Sequence, residues 1–100
     1  MAKGYWIALV DVKNADEYKR YATGLQPILK KFGARYVTRA GKTEMPEGKV
    51  KSRVVVIEFP SYEAATGCYR DADYAKIIPL RKANSDADLI ITEGYDGVQP

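Results

Sequence analysis

Arg53-Val54-Val55-Val56-Ile57-Glu58-Phe59-Pro60-Ser61 is the stretch that decides the fold. Val54, Val55, Val56, Ile57 and Phe59 are β-branched or aromatic, the composition of a strand, with a single carboxylate set among them. Pro60 ends the strand and Ser61 is placed to cap a helix. Apolar residues fill both alternating sets, so both faces of this strand are expected to meet apolar surroundings.

Upstream, Tyr5 to Val12 reads as a first strand of the same two-sided kind. Tyr5, Ile7 and Leu9 point one way, and Trp6, Ala8 and Val10 the other. Asn14, with Glu17 three residues on, opens a helix. Tyr18, Tyr21, Ala22, Leu25, Ile28, Leu29 and Phe32 form its apolar stripe. Pro27 falls inside this pattern and predicts a kink or break near Gly24 to Gln26, and Gly33 supplies the stop. Ala34 to Arg39 is a short second strand whose Arg35, Thr38 and Arg39 suit a sheet edge. Gly41 to Lys51 is a polar loop, long enough to act as a flap or a partner contact.

Downstream, a helix carries Tyr62, Ala65, Cys68 and Tyr69 on one face. Asp71 or Asp73 caps a further segment, Tyr74 to Lys82, which Pro79 is expected to interrupt. Asp88 to Tyr95 is the last strand. The order β-α-β-β-α-β is the ferredoxin-like plan of an α+β fold with a four-stranded antiparallel sheet, in one domain over residues 1–100. Right-handed crossovers put both helices on one sheet face. The other face carries apolar residues with nothing in the chain to cover them, which predicts a homodimer through the sheet face.

The 100 residues carry 16 basic and 13 acidic side chains, a formal charge of +3, and no histidine. The basic residues are scattered, with Lys49, Lys51 and Arg53 as the only short cluster. A nucleic-acid reader needs a basic stripe or a known motif, so no nucleic-acid partner is expected. No apolar run approaches the roughly 18 residues that span a membrane, and the first one ends at Asp11, short of a signal peptide. A cytoplasmic chain with no membrane partner is therefore expected. Without histidine, a Ser-His-Asp triad, a Cys-His pair, a histidine-ligated haem and most zinc sites are excluded. The seven Asp and six Glu show no calcium-loop spacing. No glycine-rich phosphate loop follows a strand. No cofactor and no metal are expected. Cys68 reads as a buried thiol rather than a nucleophile.

Carboxylate, arginine and tyrosine remain. Glu58 sits in an apolar strand, where an ionised carboxylate is costly unless paired. Paired with Arg39, Arg53 or Arg81 it is structural; in a cleft, with its pKa raised, it is a general base. Tyr74, Ile78 and Arg81 share a helical face if the helix survives Pro79. Arg81 there either grips a ligand carboxylate or ties the helix to the sheet or to a second subunit. Arg39, Tyr69, Tyr74 and Arg81 are the candidate ligand-binding residues and Glu58 the candidate catalytic one.

Gly4-Tyr5-Trp6, the Tyr18/Tyr21 helix, Gly33-Ala34-Arg35-Tyr36, the Arg53-to-Ser61 stretch, Tyr69, Tyr74 and Leu80-Arg81 together resemble a bacterial family, domain of unknown function 1330, of the dimeric α/β-barrel superfamily. The resemblance spans essentially the whole chain. It departs at Gly33-Ala34, where the family often has two glycines. It implies a ferredoxin-like protomer and a dimer whose two sheets form a barrel, and no assigned activity. The superfamily includes cofactor-free monooxygenases, muconolactone-isomerase-like enzymes, haem-degrading enzymes, chlorite dismutases and stress-response proteins. Two function classes follow. One is a protein that binds or transforms a small aromatic or carboxylated metabolite, without a cofactor, in a cleft between helices and sheet. The other is a non-catalytic homodimeric binding or assembly module.

Overall fold

The computed structural model describes residues 2–100. The elements run β1 (Gly4–Val12), α1 (Ala15–Lys31), β2 (Arg35–Arg39), β3 (Arg53–Phe59), α2 (Tyr62–Tyr69), α3 (Ala72–Asn84) and β4 (Ser85–Glu93). The strands form one four-stranded sheet in the order β2-β3-β1-β4, antiparallel throughout. This is the ferredoxin-like arrangement expected from the element order, with the second helical region in two pieces.

β3 has the bounds read from the sequence, and it pairs with β1 on one side and β2 on the other. Trp6 and Val10 of β1, with Ile57 and Phe59 of β3, are buried on the helix-covered face. The alternate set, Tyr5, Ile7 and Leu9 with Val54, Val56 and Glu58, lies on the open face, where Ile90 is 57% exposed. Tyr18, Tyr21, Leu25, Ile28 and Leu29 form the buried stripe of α1. The Trp6 indole Nε1 donates to the Ala65 carbonyl at 2.8 Å, tying α2 to β1.

Local chemistry sets the helix ends. Asn14 Oδ1 accepts from the Glu17 amide, Ser61 Oγ from the Ala64 amide, and Asp71 Oδ2 from the Asp73 amide. Gly33, at φ +69°, follows the α1 C-cap; its amide donates to Lys30 O and that of Ala34 to Leu29 O, the two bonds of a Schellman motif. Gly4 permits close passage: a Cβ there would run into the Ser61 carbonyl oxygen.

Three expectations are corrected. Pro27 does not break α1, which runs unbroken for 17 residues, and Pro79 likewise lies inside α3. An interior proline costs about 3 kcal/mol, but buried stripes flank Pro27, and tertiary packing of such a face outweighs the lost bond. β4 begins at Ser85, not Asp88, because Ser85 to Asp88 pair with Val12 to Leu9 of β1. Tyr62 is 40% exposed rather than part of the inward face of α2. No helix among the described residues is long and apolar enough to cross a membrane.

Candidate functional site

The candidate residues fall on two faces of the sheet. Glu58 lies on the open face. Its carboxylate accepts from Arg35 Nε at 3.1 Å and from the Tyr5 hydroxyl at 3.1 Å. The expected partners Arg39, Arg53 and Arg81 are not the ones it meets: alternation in β3 puts Arg53 on the other face, a register slip in β2 puts Arg39 there too, and Arg81 enters from α3 on the helix side. The Arg35 guanidinium, joined by the Tyr5 hydroxyl, holds the Glu58 carboxyl below its ordinary value of 4.5 despite partial desolvation. A depressed carboxyl pKa stabilises the fold above the ordinary value, and that contribution is lost as pH falls through the folded-state value. Glu58→Gln is therefore expected to flatten the acid limb of the stability profile below about pH 4.5. Urea unfolding between pH 3 and pH 6, roughly the span around that value, measures it. Parallel profiles for the two proteins would contradict the pairing.

Arg39 and Arg81 come together on the other side, in a cleft between α1, α3 and the sheet, with a cavity volume of about 70 Å³. One buried water occupies about 10–15 Å³ on this measure, so the cavity has room for roughly five. Trp6, Val55, Ile57 and Leu89 give it an apolar floor; Tyr18, Tyr21 and Tyr36 supply aromatic walls. Arg53 joins Arg39 and Arg81 as the third guanidinium, and no carboxylate lines the cleft.

Each arginine arrives by a different route. Arg81 is on α3, one face with Tyr74, and is only 8% exposed. Its Nε is buried without a hydrogen-bond partner. Arg53 shares the helix-side alternation of Val55 and Ile57 and lies over the Tyr18 ring, 5.4 Å from its centroid. Arg39 reaches the cleft through an irregularity. Tyr36 pairs with Ile57 and Thr38 with Val56, so the register slips by one residue at Val37. This bulge puts Tyr36 and Arg39, three apart, on the same face. Arg39 then stacks over the Tyr36 ring at 4.6 Å, and the Tyr36 hydroxyl accepts from Gln26 Nε2 at 2.8 Å.

Tyr74 is fully buried behind the cleft wall, its hydroxyl 2.9 Å from that of Tyr21. Tyr69 packs at a tilt against Tyr74 at 5.5 Å and edge-on against Trp6 at 6.1 Å, and it does not line the cavity. Burial raises the Tyr18, Tyr21 and Tyr74 phenols above their ordinary value, so at neutral pH they are neutral hydrogen-bonding groups and not bases. Cys68 is fully buried, and desolvation pushes its thiol up to about 12, which removes it as a nucleophile. Among the described residues no cluster of three or more His, Cys, Asp or Glu side chains is placed to hold a metal ion.

Sequence reasoning missed Arg53 as a cleft residue, and it placed Tyr18, Tyr21, Tyr69 and Tyr74 on inward helix faces, mostly as core with a few lining a pocket, without singling out Tyr18 and Tyr21. The signal for Arg53 was its phase: it alternates in step with Val55 and Ile57.

The fold recurs in solved structures. A protein of unknown function from Rhodopseudomonas palustris superposes with a TM-score of 0.77 at 21% identity, covering 99% of this chain and 85% of that one. SnoaB, a cofactor-independent oxygenase from Streptomyces nogalater, gives 0.64 at 9% identity, covering 100% of this chain and 97% of its own. A dabb family protein with a ferredoxin-like fold from Mesorhizobium loti gives 0.64 at 16% identity, covering 99% and 100%. At these identities the likeness is one of fold. No curated protein matches the chain. The family model for the domain of unknown function (DUF1330) matches residues 3–95, from before β1 to beyond β4, and to that family the chain belongs.

Proposed function

We propose that this protein binds a small aromatic or carboxylated metabolite in the cleft between α1, α3 and the sheet. One observation carries this: the buried Arg81 guanidinium faces a solvent-connected cavity, with an unsatisfied Nε and no carboxylate lining the space around it. An uncompensated buried charge costs stability, and a ligand carboxylate is the group that would compensate it. The apolar floor and tyrosine walls suit the body of a small acid, since such sites combine apolar lining with a few fixed polar groups.

The SnoaB-like fold makes cofactor-free chemistry conceivable by analogy. The cleft itself favours binding over proton abstraction, because its lining has no carboxylate, cysteine or histidine to act as a base. Glu58, on the far face and bound to Arg35 and Tyr5, serves the fold in this proposal.

Titration with single-ring and short-chain carboxylates, followed by melting temperature, tests it. A ligand present at 100 times its Kd stabilises by about 2.7 kcal/mol, a readily measured shift. A panel that leaves melting unchanged at millimolar concentration would overturn the reading.

The open sheet face supports a homodimer as the assembled form. Ile7 pairs with Val56 and Ile90, and Leu9 with Val54, so their side chains form one cross-strand apolar patch without cover. A contiguous uncovered patch is the mark of an interface, and a second copy supplies the matching surface. Sedimentation at micromolar concentration is expected to show a dimer, and Val56→Lys a monomer that keeps its fold. A wild-type chain that sediments only at 11.2 kDa would remove the claim.

A further inference from the structure

Ion pairs among the described residues join Arg20 to Glu17, Lys31 to Asp71 and Asp73, Arg35 to Glu58, Lys51 to Asp88 and Lys76 to Asp73, all outside the cleft. Arg39, Arg53 and Arg81 make none of the ion pairs among the described residues, although they converge on one cleft from β2, β3 and α3. The three differ in depth. Arg81 is 8% exposed, Arg53 is half-buried and Arg39 is exposed. The cleft thus has one guanidinium at its base and two at its mouth.

The outer two are held in place. Arg39 Cζ lies 4.6 Å from the Tyr36 ring centroid and Arg53 Cζ 5.4 Å from that of Tyr18, contacts that favour these guanidinium positions before any ligand arrives. Such preorganisation lowers the entropic cost of gripping an anion. The bulge at Val37 is what turns Arg39 inward; regular alternation from Tyr36 would have left it on the open face beside Arg35.

We infer that the ligand is a dianion, with one carboxylate on Arg81 at depth, a short flat apolar body between Tyr18, Tyr36 and Val55, and a second anionic group between Arg39 and Arg53 at the mouth. This rests on the cleft being a ligand site, as proposed above. The cavity volume of about 70 Å³ confines the body to a single ring or an equally short chain. A monoacid would satisfy Arg81 and leave the mouth pair unanswered.

Calorimetric titration at low ionic strength with benzoate and with the three benzenedicarboxylate isomers separates the cases. At least one isomer is expected to bind about 10-fold or more tightly than benzoate, the value of one added charge-assisted hydrogen-bonded contact. Arg39→Gln and Arg53→Gln should each weaken that isomer more than they weaken benzoate, and so narrow the gap between the two. Arg81→Gln should weaken every acid. Arg39 is exposed, so its variant keeps the fold, and circular dichroism verifies this for all three. If benzoate binds as tightly as every dicarboxylate, or the mouth variants change nothing, the dianion inference fails while the acid site stands. If no acid binds at all, both fall.

Discussion

Replacing Trp6 by alanine is expected to remove most of the stability of the fold. The indole is 2% exposed and is the largest of the fully buried side chains. It touches Phe59 at 5.2 Å and Tyr74 at 5.1 Å between ring centroids, and Tyr69 edge-on at 6.1 Å. Its Nε1 donates to the Ala65 carbonyl at 2.8 Å. Trp6 is thus a residue through which β1, β3, α2 and α3 meet. Truncating a buried tryptophan costs about 3–5 kcal/mol, against the 5–15 kcal/mol that typically holds a domain together. For a chain of this size, 1 kcal/mol shifts Tm by about 4–8 °C, so a fall of roughly 15–30 °C is expected. Trp6→Phe retains the apolar contact and loses the donor. It should cost about 1–3 kcal/mol, the penalty for a buried group left unpaired. Urea unfolding at fixed protein concentration measures both, since any dimerisation would couple stability to concentration. An alanine variant within about 1 kcal/mol of wild type would show that the aromatic cluster does not centre on Trp6.

The centrality of Trp6 was only partly legible in the sequence, and the same holds across the fold. β1 and β3 were readable because apolar residues in both alternating sets leave no other element that buries them. The α1 stripe and its caps at Asn14 and Gly33 were readable for a similar reason: each needs only neighbours within four residues. What escaped depends on partners distant in the chain. Ser85 to Asp88 look like a polar turn, yet the β1 edge opposite Val12 to Leu9 draws them into β4. Pro27 and Pro79 carry the local signal of a break, and packing on the sheet overrides it. The site shows the limit most clearly. Alternation separates Glu58 from Ile57 and Phe59, but which set meets the helices depends on the crossovers, so its partner could not be read as Arg35. The Val37 bulge is invisible in Arg35-Tyr36-Val37-Thr38-Arg39, since a one-residue slip belongs to the pairing with β3 and not to β2 alone.

Arg81→Met is expected to stabilise the empty protein and to weaken acid binding severely, two changes of opposite sign from one substitution. A buried arginine with a structural role is held by carboxylates or carbonyls, and removing it leaves those groups stranded. Arg81 has a different environment: Val55 and Leu89 across the cleft, the Tyr74 hydroxyl as a neutral hydrogen-bonding partner of the guanidinium, the Tyr21 hydroxyl beyond it, and an Nε without a partner. Methionine matches the length of its aliphatic stem and fills irregular space without introducing a polar atom. Removing a buried charge that has no ion pair and an unpartnered Nε recovers about 1–3 kcal/mol, which corresponds to a rise in Tm of roughly 4–8 °C for each kcal/mol. Binding moves the other way. A charge-assisted contact to a carboxylate is worth about 1.5–3 kcal/mol, so affinity for small acids should fall by roughly 10- to 150-fold. Melting curves with and without a carboxylate read both effects in one experiment. A variant that melts lower than wild type in the absence of ligand would make Arg81 a strut between α3 and the sheet. A variant that melts higher and no longer responds to acid has the behaviour of a binding residue, because functional groups are kept at the expense of stability. The buried charge on α3 would then be carried for the ligand, in a helix whose other buried side chain, Tyr74, already anchors it to Trp6 and Tyr21.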